Sequence, residues 1–258
     1  MIRGATAADY EAYAQLFREL GFGDPTPSYQ RYASELTRST LVADRGGSVS
    51  GYIDFYALSA AGHVRNVVVA PAVRNSGIGA ELMRAAADRL RAGGITEWHL
   101  NVRQDNAAAI RLYEKMGMQI EHRSTVFRIP WALAETLPRE PAIASAVSRE
   151  DDDDLERALT MLSGRVAMRR RGNSILIQLR DDSCAAVGFA ALDLGVGASP
   201  FRVARPALIG TLLDAIRPHV SAPYVQIVVE DCPECRAVLV GAGAEVKLEL
   251  LHYRGTLA

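Results

Sequence analysis

Cysteine is scarce, with three in 258 residues. Three cannot all pair within one chain and are too few for a disulfide framework, which excludes a small cysteine-stapled scaffold. Charge of one sign is lacking as well. The 29 Lys+Arg and 30 Asp+Glu leave a formal net charge of −1, so no global field draws the chain to nucleic acid or to a membrane surface. No apolar run reaches the roughly 18 residues that a membrane span needs. The opening MIRGATAADYEAYAQLF also lacks the uninterrupted apolar segment of a secretory signal. A soluble cytoplasmic protein is expected, monomer or homodimer, with no nucleic-acid and no membrane partner. What is present is ample: 49 % of residues are hydrophobic, enough for real cores, and the length suits two ordinary domains.

His63 to Leu90 reads HVRNVVVAPAVRNSGIGAELMRAAADRL. Val64 to Val69 is an apolar, β-branched run of strand length, and Pro71 stops it because proline cannot donate to a ladder. After the turn Arg74-Asn75-Ser76-Gly77-Ile78-Gly79, the residues Leu82, Ala86 and Leu90 share one helical face. In this order free amides at the helix start converge on one place, backed by about half a positive charge. A phosphate or pyrophosphate is the natural ligand there. A lone G-x-G more often marks only a tight turn, so the spacing carries the argument. It is neither the G-x-G-x-x-G of dinucleotide sites nor the Gly-Lys-Ser/Thr of triphosphate sites. Arg74, Gly77 and Gly79 instead give R-x-x-G-x-G. Downstream, a predicted strand over Ile95–Arg103 leads into Asn106-Ala-Ala-Ala-Ile-Arg-Leu-Tyr113-Glu-Lys-Met-Gly117-Met118. Asn106 suits an N-cap, and Gly117 the residue just past a helix end.

Together the two segments resemble the GNAT superfamily of N-acetyltransferases, with Met118 where the family usually has an aromatic. The resemblance implies an α/β (α+β) GNAT fold, a mixed central sheet flanked by helices, and acetyl-CoA as co-substrate without a metal. It implies that Arg74, Asn75, Ser76, Gly77, Ile78, Gly79, Ala80 and Asn106 bind the cofactor, the turn cradling its pyrophosphate. The backbone of Val67, Val68 and Val69 would take the pantetheine as an added strand, one amide polarising the thioester carbonyl. Tyr113 takes the family's general-acid position, although a lone tyrosine there reads by default as a core aromatic.

The base is less direct. His63 falls where some members carry a glutamate, and an imidazole titrating near neutrality can take an amine's proton. A histidine without a role at a strand end accounts for it equally well. The segment LNVRQDNAAAIRLYEKMG most resembles the subfamily that acetylates ribosomal-protein N-termini, whose glutamate base is here Asn101, and an amide cannot accept a proton at neutral pH. Arg65 shares a strand face with His63 by period two and would favour an acceptor bearing a carboxylate or phosphate. The expected acceptor is the amine of a small molecule or a peptide N-terminus. The alternative is a non-catalytic acyl-CoA-binding or protein-interaction module.

Upstream, Ile2–Thr6 is a short strand and Thr6-Ala-Ala-Asp9 a variant capping box, followed by Tyr10, Tyr13, Ala14, Phe17 and Leu20 at helical spacing. Ser28 can cap a second helix carrying Tyr29, Tyr32, Ala33 and Leu36. In the family this region walls the acceptor site, which makes Phe22, Asp24 and Tyr29 substrate-binding candidates. Turn chemistry for Asp24 and core packing for the aromatics are equal alternatives. Leu41–Asp44 and Val49–Leu58 read as a hairpin. Pro130, Pro138 and Pro141 bracket a polar stretch, giving a GNAT domain at 1–130, a linker at 131–141 and a second domain at 142–258.

That second domain repeats the first in order. Ser148-Arg-Glu-Asp151 matches Thr6-Ala-Ala-Asp9, a hairpin spans Ser174–Leu179 and Ala185–Leu192, and Pro206–Ile216, Tyr224–Glu230 and Pro233–Val240 read helix, strand, helix. The region of Gly195–Ala204, where the central strand and pyrophosphate turn belong, holds no R-x-x-G-x-G, and Leu239 replaces Tyr113. A smaller, degenerate GNAT-like domain without acetyl-CoA binding or catalysis is expected. The acidic run Asp151–Asp154 reads as a first helical turn, Met168–Arg171 as a solvated turn. Cys232-Pro-Glu-Cys235 stands at a helix start, where a thiolate is favoured. Chance is the commoner source of so short a motif.

Overall fold

The computed structural model describes residues 1–21, 25–58, 61–161, 163–172, 174–193 and 197–257. The chain divides into two compact units, Met1–Glu121 with Leu251–Ala258 and His122–Leu250. This departs from the expected division at a 131–141 linker, because two strands change unit along their length. A strand settles where its alternate side chains find a core, and chain order does not dictate which core that is. Phe127 and Ile129 are buried in the second unit, whereas Leu251, Tyr253 and Leu257 are buried in the first.

The first unit runs β1 (Ile2–Gly4), α1 (Tyr10–Arg18), α2 (Tyr29–Ser34), β2 (Thr40–Arg45), β3 (Ser48–Leu58), β4 (Ala61–Val69), α3 (Ile78–Ala92), β5 (Glu97–Arg103), α4 (Ala107–Lys115) and the start of β6 (Gln119–Pro130). Its sheet has the order β1-β2-β3-β4-β5, with the later part of a strand over Glu245–Thr256 beside β5. All neighbours are antiparallel from β1 to β4, and β4 and β5 are parallel. One face packs on α3 through Ile78, Leu82, Met83, Ala86 and Leu90. The other packs on α1 and α2 through Tyr13, Leu16 and Tyr32. The helices form where their apolar residues recur at three and four.

The capping box at the head of this unit is built as its spacing predicts. Asp9 Oδ2 accepts from the Thr6 amide at 2.7 Å and hydroxyl at 2.9 Å, and Arg3 donates two bonds to the carboxylate at 2.8 Å each. The Arg3 guanidinium holds this carboxyl at about 2, against an ordinary value of 3.8. A depressed folded-state value stabilises the protein above about pH 4, and that contribution is lost as the pH falls toward 2. Asp9→Asn is expected to cost about 2 kcal/mol at pH 7, with the gap to wild type closing between pH 4 and 2 in urea unfolding.

In the second unit, α5 (Trp131–Ala134), β7 (Ile143–Ala146), α6 (Asp152–Ala158), α7 (Arg165–Arg171), β8 (Ile175–Arg180), β9 (Ala186–Asp193), β10 (Gly197–Val203), α8 (Ile209–Ile216), β11 (Tyr224–Glu230), α9 (Pro233–Gly241) and the start of β12 (Glu245–Thr256) follow β6. The order β6-β11-β10-β9-β8-β7 has β10 and β11 parallel and the rest antiparallel. Its topology repeats the first unit. So does its capping box, in which Ser148 donates to Asp151 Oδ2 from the amide at 3.2 Å and the hydroxyl at 3.0 Å. A central strand does form, as β10, so what the shorter copy lacks is the turn after it. The arginines of Met168–Arg171 lie on α7 rather than in a solvated turn, Arg169 pairing with Asp193 and Arg170 with Asp152.

Candidate functional site

The turn after β4 sets the site. Pro71–Val73 forms a short 3₁₀ turn, Asn75 has φ 65° and Gly77, the N-cap of α3, has φ 89°. Only glycine holds that last conformation without strain. The amides of Ile78, Gly79 and Ala80 precede any intrahelical acceptor. Among the described residues, those of Asn75, Ser76 and Gly77 meet no acceptor either. Six successive donors therefore surround one dipole-positive helix end, a nest suited to an anion. Arg74 stands at its rim, donating from Nε to the Val69 carbonyl at 3.1 Å and from Nη2 to Glu19 at 3.0 Å. Gly79 is tight for a second reason. A Cβ there would sit 3.2 Å from Cδ2 of Leu112 on α4, so the missing side chain lets the two helices approach.

Beside the nest the sheet opens. β4 and β5 pair from Ala61↔Glu97 to Val64↔Leu100, yet β4 runs on to Val69 and β5 to Arg103. A bulge marks the departure: Asp54 faces Asn66 and Phe55 faces Val64, leaving Arg65 as the extra residue. The bulge also reverses the parity of the strand. Val64 packs on the α3 side and Val68 on the α1–α2 side, although they are four residues apart. The released edge of β4 at Val67–Val69 offers backbone donors and acceptors to an added extended group.

A polar row crosses the face of β3, β4 and β5 that looks toward the α1–α2 side. The rings of Tyr56 and His63 stack with centroids 5.2 Å apart, and His63 stacks on His99 at 5.4 Å. The Arg65 guanidinium lies 4.9 Å from the centre of the Tyr56 ring and 3.4 Å from Asp54. His99 is held between two carboxylates, Nε2 at 3.5 Å from Glu97 and Nδ1 at 3.3 Å from Glu121. Burial, with the second imidazole adding to it, pushes His63 below its ordinary value, so it is neutral at pH 7. Asp54 is 1 % exposed and burial pushes its carboxyl up, against the pull of Arg65 and of a 3.0 Å bond from Ser39.

Tyr113 lies on α4 in the core that includes Val102, with Val67 and Val69 packed against it. Burial pushes its hydroxyl up to about 12, so it keeps its proton throughout the neutral range. Asn106 caps α4 by accepting the Ala109 amide at 3.1 Å. Asn101 is exposed on β5, on the His99 face by period two. Tyr29 is exposed, its ring edge-on to Tyr10. Phe22 and Asp24 lie outside the described residues. The sequence does not single out the two rings that flank His63, Tyr56 and His99, nor the carboxylates beside that row, Asp54 against Arg65 and Glu121 against His99. Period two places His99 with Asn101, but only the parallel register sets it opposite His63.

A two-faced mixed sheet whose central parallel pair parts beside a nest of amides defines the GNAT class of fold. A family model described as Acetyltransferase (GNAT) family matches residues 9–118. The N-alpha-acetyltransferase RimI of Mycobacterium tuberculosis is 31 % identical over 147 residues, 54 % of this chain and 91 % of that protein. Among solved structures, a GCN5-related N-acetyltransferase from Sphaerobacter thermophilus superposes with a TM-score of 0.63 at 17 % identity, covering 100 % of this chain and 95 % of that one. A tandem GNAT protein from the clavulanic acid biosynthesis pathway gives 0.56 at 17 % identity, covering 100 % and 98 %. At such identities the two structures speak to fold alone. The chain belongs to the GNAT family of acetyltransferases, and it is an N-acetyltransferase.

Proposed function

We propose that the first unit transfers acetyl from acetyl-CoA to the primary amine of a peptide N-terminus or small molecule, by direct attack in a ternary complex. The observation that carries this reading is the parting of β4 from β5 next to six amides that meet no acceptor among the described residues. The donor set fits the group: backbone N–H from Asn75 to Ala80 and the Arg74 guanidinium for a pyrophosphate, and the free edge at Val67–Val69 for an amide-bearing arm. Acetyl-CoA supplies an acetyl group already activated as a thioester. His63, neutral at pH 7, takes the amine's proton directly or through water. Tyr113 Oη donates to the sulfur that departs. A hydroxyl held so firmly acts chiefly by a hydrogen bond that strengthens as negative charge gathers on that sulfur. Arg65 selects acceptors carrying a carboxylate or phosphate. The relative named for Nα-acetylation supports a peptide acceptor, whereas Asn101 lacks the carboxylate that the N-terminal subfamily uses there.

The test is CoA release by the full chain against a panel of amines and peptide N-termini. Release with none of them would overturn the reading. A cheaper check concerns the nest. Gly79→Val should weaken acetyl-CoA binding at least tenfold by calorimetry, because the new side chain crowds Leu112 at the first turn of α3, where the amides of the nest must hold their aim. Undiminished affinity would place the pyrophosphate elsewhere.

A further inference from the structure

The second unit keeps the opening and loses the nest. The parallel register of β10 and β11 holds at Ala198↔Ile227, while the strands continue to Val203 and Glu230. A cleft of about 470 Å³ lies there, lined among others by Thr160, Phe201, Arg202, Glu230, Cys232 and Cys235. Glu230 is 2 % exposed and paired with Arg165 and Arg202, and among the described residues its Oε2 finds no hydrogen bond.

Cys232 occupies the place that Asn106 has in the first unit. Each is the N-cap of the helix after the second parallel strand, and each accepts the amide three residues on, at 3.1 Å for Asn106 Oδ1 and 3.3 Å for Cys232 Sγ. Sulfur is a weak acceptor and cysteine is not among the preferred caps, so capping alone does not account for it. The second cysteine sits one turn along with its Cα 5.3 Å away, disulfide-bonded to the first. Cys235 is buried, whereas Cys232 is half-buried and borders the cleft. An accessible sulfur at a helix N-terminus with a shielded partner one turn on is the arrangement in which the first thiol attacks and the second resolves, the helix end favouring the thiolate against the Glu234 carboxylate 3.9 Å from Cys232 Sγ.

We propose that Cys232 and Cys235 form a redox-active pair, which exchanges with low-molecular-weight thiols and disulfides entering the cleft between β10 and β11. In the reduced protein the Cys232 thiolate attacks one sulfur of a small disulfide RSSR. The S–S bond breaks, one RS⁻ leaves and is protonated by solvent, and Cys232 carries the other RS group. Cys235 gives its proton to solvent and attacks Cys232 Sγ, expelling the second RS⁻ and closing the internal disulfide. Two electrons pass from the pair to RSSR, yielding two RSH, and excess thiol runs the exchange backwards. The site is independent of the acetyl-transfer reading.

The full-length chain with Cys184→Ser, which removes the exposed free thiol, serves as background, and oxidised glutathione is the probe. Reduced protein should form the 232–235 disulfide without adding mass from glutathione. Cys235→Ser should stop at one glutathione on Cys232, and Cys232→Ser should react at least tenfold more slowly at Cys235. Circular dichroism before and after confirms that the protein stays folded. If a variant fails to fold, the parent background decides: its disulfide should open under millimolar dithiothreitol in native buffer and close again with oxidised glutathione. A disulfide that opens only in denaturant, or a Cys232 in folded Cys235→Ser that takes up no glutathione, overturns the proposal.

Discussion

Tyr113→Phe is expected to lower kcat about 10²- to 10⁴-fold, the usual span for a positioned proton donor, while acetyl-CoA affinity changes little. The ring stays, so its place in the core stays. Only the hydroxyl that burial holds protonated is removed. Single-turnover kinetics with calorimetry of the binary complex separates the outcomes. A loss in kcat alone marks an interaction made in the transition state, whereas a parallel fall in affinity and melting temperature marks a packing role.

His63→Ala should cost a comparable factor in kcat/KM, and the form of the pH profile is the sharper reading. A base works when deprotonated, so activity falls as the pH drops through its folded value. Burial and His99 both push His63 below 6.5, and the carboxylate of Glu97 pulls the other way without reversing the direction. The acidic limb of kcat/KM should therefore lie below pH 6.5 in wild type, disappear in His63→Ala, and return in part with added imidazole. An identical limb in both proteins would mean that the proton leaves by another route, with Asn101 and bound water the first place to look.

Much of this is legible in the sequence alone. The strand–turn–helix around Gly77 needs only a β-branched run, a proline and a left-handed glycine, all local in sequence. Capping boxes at Thr6 and Ser148 were equally readable, because both partners lie within four residues. The polar row around His63 was not. Tyr56, His63 and His99 come from three strands, and their meeting depends on register, which no single strand carries. The bulge at Arg65 was hidden for a related reason: HVRNVVV alternates too weakly to reveal an extra residue. Strand membership at β6 and β12 escaped for a third reason. Both have the residues of an ordinary closing strand, and the unit each half joins is a tertiary choice.

That choice has a consequence for synthesis. A protein made from its amino end usually lets an early domain fold while the rest is still being added. Here Leu251, Tyr253 and Leu257 belong to the core beneath α3, which is otherwise built from residues before 122. The nest, Tyr113 and His63 are all translated early, but the core behind them stays open until about 130 further residues have been joined. At about 5–20 residues per second that wait is roughly 6–26 s. During it the edge of β5 and the side of Trp98 that Gly255 covers lie bare in a nascent chain, where chaperones have their opportunity.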